Sequence, residues 1–364
     1  MYSKKENEVK NDSIMDYSNE VTNELSLAER VFDGLHIYSR FKPSYFTTRD
    51  LSNLSLTSKM LYSLASPELK IHRAAQQLLT YVVLGEQVKA KAMIEKNPEL
   101  LLMKAKAKDY SGRTIAGTAF QAAIGAGDKP MWEMMLPYFQ SLKPGEALRQ
   151  FHEQFPDGVE DEVSAEDLKE YYNAIALAII SDEDNGLSAI ERLRKEITSQ
   201  RDITQGKHFN LQHLIAAYQA YIDNFDAFSN WKNRDLFWQK VIGYVQRQMT
   251  TYDAQVHCSG IQSVLETDRA FSRTIKFPRG EKFFPLSADS GLGFDFACFS
   301  FTAAYPYNSD TAAYAKESAR EMPGKGKRQA WPFKDYVEQK QACLLDLERH
   351  LSKDCGIIRR VHCS

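Results

Sequence analysis

His257 and Cys258 place an imidazole next to a thiol, which are the two groups that a cysteine nucleophile requires. Side chains of adjacent residues rarely point at each other, and no local catalytic signature surrounds this pair. The sequence therefore offers Cys258 as a candidate nucleophile and names no further member of a catalytic site.

Three other patterns could carry chemistry, and each also has a simpler interpretation. Gly291-Leu-Gly293 lacks the third glycine of a dinucleotide-binding loop and the lysine of a P-loop, so we predict a turn. Glu160-Asp161-Glu162 has the Glu-x-Glu spacing of some ADP-ribosyltransferases, but its acidic surroundings favour a solvated loop. His208 and His213 are five residues apart, which does not suit a metal pair on one helix. We accordingly predict no metal site and no cofactor.

Length and charge exclude several classes of protein. A chain of 364 residues can form two or three domains, and its formal charge of −2 provides no overall field to attract nucleic acid or an anionic membrane. The longest apolar run, Ala174 to Ile180, is far too short for a membrane span, and the polar N-terminus does not resemble a signal peptide. The five cysteines lack CxxC spacing, which favours a reducing compartment.

Helical periodicity dominates the sequence, so we predict a mainly α fold. Two helical hairpins are expected over 72–96 and 117–138, a flexible loop over 322–328, and a final helix over 336–351. The predicted domains are a disordered tail (1–22), a docking element (23–68), a pair of helical repeats (69–142), and a mainly helical C-terminal domain with a loop-rich Phe/Gly segment (143–364).

Residues 46–66 have the pattern of a small docking element. Leucines recur at helical spacing on both sides of a seam near Leu56, and two short helices cannot bury both of their faces. An ordinary helical hairpin packed on its own core is the alternative. This stretch resembles the second half of an F-box, the helical module that docks onto Skp1 in cullin-type ubiquitin ligases. The resemblance implies Skp1 binding by Leu35, Leu51, Leu54, Leu56, Leu61 and Leu64.

The first half of this element departs from the F-box pattern. F-boxes open with a Leu-Pro pair, whereas the matching segment, 25–41, has no proline. Leu35 would still lie on one face of its helix, although Gly34 weakens that helix and Pro43 would end it. Whether loss of the Leu-Pro anchor abolishes docking is open at this point.

The second helical hairpin resembles an ankyrin repeat. Gly117-Thr-Ala119 provides the turn before the first helix, Ala122-Ala123 the paired small residues, and Gly127-Asp128 the turn between the helices. A degenerate unit precedes it near Gly85. Stacked repeats normally number at least three, so neighbouring helices would have to act as caps, and a generic helical bundle is the alternative.

Four segments together are similar to a family of ankyrin-like proteins of intracellular bacteria such as Legionella and Coxiella. The likeness runs from about residue 70 to about residue 300, and its segments are 110–114, 121–128, 234–247 and 291–297. It implies secretion by a type IV apparatus into the host cytoplasm, where F-box-carrying members bind host Skp1 and divert ubiquitylation.

Three hypotheses follow from these observations. In the first, the protein is an adaptor that holds Skp1 and the cullin complex and presents an unknown host protein, with no catalytic residue of its own. In the second, the C-terminal half is an enzyme that modifies a host protein, with Cys258 as its nucleophile. In the third, the protein is a scaffold without any link to ubiquitin.

Overall fold

The structure is a computed structural model that divides into two compact units, Met1–Lys70 and Ile71–Ser364. It describes residues 48–57, 59–161, 163–181, 183–228, 230–259, 261, 265, 273, 291–295, 297–298, 314–315 and 322–362. Within the last of these ranges, side chains are described for 333–353. The predicted tail and the first predicted F-box helix lie outside the described residues.

The first unit contains α1 (Thr48–Ser55) and the beginning of α2 (Lys59–Val83). Leu51 of α1 packs with Ala65 and Leu69 of α2 in a small buried cluster. Helix α2 continues through Pro67, so the predicted end of the docking element at residue 68 is not a break in the chain's helix.

The second unit begins with a core made from consecutive short elements. Gly85 has a φ of +69° and reverses the chain after α2, and α3 (Gln87–Lys96), which follows, contributes Ala90 and Ile94 to this core. A 3₁₀ turn follows at Pro98–Leu102. The remaining helices of this core are α4 (Ala119–Ala126), α5 (Lys129–Leu142) and α6 (Glu146–Gln154).

The α4–α5 hairpin forms where the sequence predicted it, because both of its helices are capped at their N-termini by local side chains. Thr118 accepts from the Gln121 backbone N–H while the Gln121 side chain accepts from Thr118, which is a complete capping box. Gly127 closes α4 with a φ of +68°, and Asp128 caps α5 by accepting from the Met131 backbone N–H. The ankyrin-like arrangement of repeats remains a prediction.

A three-stranded sheet flanks this core, and the sequence analysis did not predict it. Strand β1 (Ala105–Lys108) pairs antiparallel with β2 (Thr114–Gly117), and β3 (Asp202–Ile203) adds to β2 in parallel. Asp109 organises the hairpin turn, since its Oδ1 accepts from the backbone N–H groups of Ser111 and Arg113. Strands this short carry little periodicity, so the sequence offered no pattern that would predict them.

The second core is built from longer helices rich in aromatic side chains. Its elements are α7 (Lys169–Ile180), a 3₁₀ turn (Glu183–Gly186), α8 (Leu187–Ile197), α9 (Gln212–Asp223), α10 (Trp231–Leu236), a π-helical segment (Phe237–Ile242), α11 (Gly243–Arg247) and α12 (Thr251–Ser259). Phe237 and Trp238 are buried there, whereas Trp231 at the start of α10 is 37% exposed. A two-stranded pair of β4 (Ala297–Cys298) and β5 (Tyr314–Ala315) follows.

Helix α13 (Met322–His362) joins the two cores of the second unit. Phe333 and Val337 belong to the second core, whereas Leu344 and Leu351 belong to the first. The loop predicted over 322–328 is wrong, because the helix already begins at Met322. Proline is tolerated at the first turn of a helix, so Pro323 does not prevent this early start.

The fold is mainly α, as the sequence predicted. Among the described residues, no helix combines the length and the apolar character that crossing a bilayer requires. The first core also includes Phe151 and Phe155 of the region beyond residue 142, where a domain boundary was predicted. That boundary stays a prediction.

Candidate functional site

The docking element displays one leucine to solvent and buries two others. Leu56 is 83% exposed, whereas Leu51 and Leu61 are 0% and 1% exposed. Leu54 and Leu64 are half-buried, and Leu35 lies outside the described residues. The sequence pattern treated these leucines as one surface, but the structure separates the buried members from the exposed one.

Leu56 is exposed because it lies in the turn between the two helices. Its backbone N–H donates to Asn53 O at 3.2 Å, and the next N–H, of Thr57, donates to Leu54 O at 3.0 Å. The Ser55 hydroxyl also donates to Ser52 O at 2.7 Å. These bonds close the end of α1 and direct the chain outward, so a large apolar side chain meets water instead of the core. Tyr62, early in α2, is likewise 57% exposed.

The candidate nucleophile Cys258 lies in α12, but its side chain is outside the described residues. Its neighbour His257 is 1% exposed, and burial lowers the pKa of the His257 imidazole to about 4. The groups around its Nε2 are Tyr218 Oη (3.4 Å), Gln246 Nε2 (3.4 Å) and Cys298 O (3.5 Å). None of these is an acid that could orient His257 as a base. The role of Cys258 stays a prediction.

Gln246 explains why these groups converge. Its Nε2 donates to Cys298 O at 2.8 Å and its Oε1 accepts from Cys298 N at 2.7 Å. The Gln246 side chain thus makes the two hydrogen bonds that the backbone of a neighbouring strand would make. The same Nε2 donates to Tyr218 Oη at 2.9 Å. The arrangement fixes β4 against α9 and α11, and the neutral His257 fills the remaining space.

The other sequence candidates are dispersed in the structure. His213 Nδ1 lies 3.1 Å from Tyr172 Oη, while His208 packs against Gly125 with its pKa lowered to about 3 by burial. Within the described ranges, no three metal-binding side chains come together. Asp161 pairs with Lys207 at 2.8 Å, and Glu162 lies outside the described residues.

A buried polar network that the sequence analysis missed ties α12, α13 and the α4–α5 hairpin together. Asp253 accepts from Thr250 Oγ1 (2.6 Å), Tyr336 Oη (2.8 Å) and Lys340 Nζ. Near it, both oxygens of Asp128 accept from Arg273 at 2.6 and 2.7 Å. The Thr-x-x-Asp pattern at 250–253 was the available signal, since it is a helix-capping sequence.

A small cleft of about 20 Å³ adjoins this network. Its walls are mainly apolar, and Lys207 and Lys340 stand at its edge. Each lysine pairs with a carboxylate, Asp161 for Lys207 and Asp253 for Lys340. A ligand anion would have to compete with these pairs, so the cleft offers no charge that is ready for a ligand.

The Gly291–Gly293 segment is a turn, as predicted, and its polarity is opposite to that of a phosphate loop. Phosphate loops direct backbone N–H groups at an anion. Here the backbone carbonyl groups of the turn face cationic side chains, with Gly293 O accepting from Arg194 at 3.1 Å.

The Gly291–Gly293 turn lies within a segment of the chain that matches a known protein family. Residues 213–321 match the family model of the CBUA0006 C-terminal domain. The CBUA0006 family is of the Coxiella type, so the match is compatible with a Coxiella-type effector, and it does not confirm the F-box or ankyrin features. The matched segment starts in α9, so the docking element and the α4–α5 hairpin precede it. No curated protein and no solved structure matches the chain.

Proposed function

We propose that this protein is an adaptor-type effector of a Coxiella-type bacterium, which acts in the host cytoplasm after secretion. Its first unit docks on host Skp1 and thereby on the cullin complex, and its second unit holds a host protein for ubiquitylation. The observation that carries the proposal is the 83% exposure of Leu56 at the tip of the α1–α2 turn.

The exposed leucine offers apolar surface that a partner could bury. Burying a leucine side chain in an interface contributes about 1.5–3 kcal/mol. The buried cluster of Leu51, Ala65 and Leu69 holds α1 against α2, which keeps the turn in a fixed shape before binding. A preformed turn with one prominent apolar side chain is suited to insertion into a groove on a partner.

Binding of the purified full chain to human Skp1, measured by titration calorimetry, tests the proposal. Leu56→Asp should abolish binding, because it would place a charge in the apolar interface. Val88→Asp is the matched control, since Val88 on α3 is 84% exposed and lies outside the docking element. It should bind as the wild type does.

Two outcomes would contradict the proposal. A folded wild-type chain that shows no binding to Skp1 would remove the ubiquitin-ligase connection. Binding that Leu56→Asp leaves unchanged would remove the docking surface even if Skp1 is a partner. Circular dichroism of each variant establishes that the loss does not come from unfolding.

A further inference from the structure

The turn at 291–295 presents an aromatic ring on the surface of the second unit. Gly291 and Gly293 both have a φ of +81°, a conformation that suits glycine and allows the chain to fold back tightly. The N–H groups of Phe294 and Asp295 both donate to Gly291 O, at 2.9 and 2.7 Å. The ring of Phe294 is left 38% exposed at the tip of the turn.

The position of this turn is fixed by close backbone packing. A Cβ atom on Gly293 would lie 2.7 Å from the Cα of Tyr244, so only glycine allows the turn to approach α11 this closely. The Phe294 ring then meets the Tyr244 ring edge to face, with centroids 6.0 Å apart. The exposed ring is therefore held in place without a partner, which lowers the entropic cost of binding.

Three cationic side chains surround the turn and donate to three consecutive carbonyl groups. The pairs are Arg247 Nη1 with Leu292 O (3.3 Å), Arg194 Nη2 with Gly293 O (3.1 Å), and Lys240 Nζ with Phe294 O. They come from α11, α8 and the π-helical segment. π-Helical segments are frequent at functional sites, and this one is the element that presents Lys240.

Carbonyl groups orient these cations but do not neutralise them. In the described part of the chain, neither Arg194 nor Lys240 forms an ion pair with a carboxylate. Burial lowers the pKa of the Arg194 guanidinium below its ordinary value. Glu191, three residues before Arg194, and Asp295, within the turn, are both exposed to solvent, where their charges are screened.

The Arg194 guanidinium lies against two aromatic rings. Its Cζ lies 4.9 Å from the Tyr244 ring centroid and 4.7 Å from that of Phe294, which are distances at which a cation is attracted to a ring. Its Nε is buried and has no hydrogen-bond partner in the structure, whereas its Nη2 donates to Gly293 O. A guanidinium has five N–H donors, so an acceptor on a partner would use the donors of Nη1 and Nη2 and not the buried Nε.

We propose that the surface formed by Arg194, Lys240, Arg247 and Phe294, the Phe294 surface, binds an acidic segment of a partner protein. Carboxylates of the segment pair with Arg194 and Lys240, and an apolar side chain of the segment packs on the Phe294 ring. Arginine and aromatic side chains are the residues that most often dominate protein interfaces. The inference rests on the proposed function only in identifying this partner as the host protein presented to the ligase.

An acidic protein fits this surface better than a nucleic acid does. Single-stranded nucleic acid is bound by a charged groove with a series of stacking rings, whereas one exposed ring is present here. The chain as a whole carries a net charge of −2, so it provides no extended positive field to hold a polyanion beyond the surface.

Selection of peptides from a random phage-displayed library on the full-length chain tests this inference. The enriched peptides should combine several Asp or Glu residues with a large apolar residue. A synthetic peptide of the enriched sequence is then measured by fluorescence anisotropy at low and high salt. Its affinity should fall as salt rises, because charge pairing contributes to binding.

Substitutions locate the peptide on the structure. Phe294→Ala and Lys240→Glu should each weaken the peptide by about tenfold or more. The controls are Leu177→Ala and Lys91→Glu, which change an apolar residue 57% exposed on α7 and a lysine 56% exposed on α3. Neither control should change peptide affinity, and all four variants should keep the wild-type circular dichroism spectrum.

The inference is overturned if no peptide is enriched, if the enriched peptides are not acidic, or if Phe294→Ala and Lys240→Glu bind them as the wild type does. Single-stranded oligo(dT) and phosphatidylserine vesicles are tested in parallel. Binding of either one at this surface in place of the peptides would also overturn it. Skp1 binding is measured separately, so failure of the Phe294 surface and failure of the adaptor function give different results.

Discussion

Lys340 of α13 and Asp253 of α12 form an ion pair in which the Asp253 side chain is completely buried. The two residues are 87 positions apart in the sequence. Tyr336 donates to the same carboxylate at 2.8 Å, and Lys340 also donates to Ala126 O at 2.9 Å. One lysine therefore connects α12 and α13 to the α4–α5 hairpin, between the two cores of the second unit.

Removing this lysine should destabilise the protein strongly. Lys340→Met leaves the buried Asp253 carboxylate without its cation, and we expect the free energy of unfolding to fall by about 3 kcal/mol or more. Lys91→Met is the control, because it breaks an exposed pair with Glu95 and should cost less than about 1 kcal/mol. Urea denaturation measures both. Equal effects of the two variants would show that the Lys340–Asp253 pair contributes nothing beyond a surface pair.

Substitution of two glycines by alanine should distinguish the loss of stability from backbone strain from the loss caused by steric overlap. Gly127 and Gly112 both have positive φ, but a Cβ on Gly127 would overlap the Lys340 side chain, whereas one on Gly112 would meet open space. Gly112→Ala should cost about 1 kcal/mol from strain alone. Gly127→Ala should cost distinctly more, because it displaces Lys340 from Asp253. Thermal unfolding of the two variants compares them, and equal costs would contradict the contact.

Stability should decline as the pH falls below about 6.5. Burial lowers the pKa of His257 to about 4 and that of His208 to about 3, so both are neutral in the folded protein. Unfolding raises each pKa towards its ordinary value, and protons therefore bind preferentially to the unfolded chain below that value. Each histidine contributes a loss of up to about 1.4 kcal/mol per pH unit.

Urea denaturation between pH 6.5 and pH 5 measures this slope, in a range above the ordinary pKa of most carboxylates. His257→Gln should reduce the slope, whereas His152→Gln, on an exposed side chain that pairs with Glu348, should leave it nearly unchanged. A slope that His257→Gln does not alter would mean that His257 is not buried as a neutral group.

Leu51 and Leu56 should affect Skp1 binding by different routes. Leu51→Ala leaves a cavity in the first unit, which for a buried leucine costs about 2–5 kcal/mol. Hydrogen exchange over residues 48–70 should therefore accelerate. Leu56→Asp removes an exposed group and should leave exchange unchanged while it abolishes binding. Accelerated exchange in Leu56→Asp would show that Leu56 supports the fold.

Local signals in the sequence predicted most of the helices. The α4–α5 hairpin was predicted because Thr118, Gly127 and Asp128 act on backbone groups within four residues of themselves. The final helix was predicted over 336–351, a range that lies entirely within α13. The early start of α13 at Met322 was missed because Gly324 and Gly326 are typical of loops, and tertiary context overrode that preference.

The sequence alone determined the helical content, the helix caps and the absence of an overall basic charge, since each depends on neighbouring residues or on composition. Only the tertiary structure decided which members of an apolar pattern are buried: Leu51 and Leu56 fit the same docking pattern, yet one is 0% and the other 83% exposed. It also brought Arg194 to a turn 99 residues away. Helical period depends on local backbone geometry, whereas these contacts depend on how distant helices pack, and no local pattern encodes that packing.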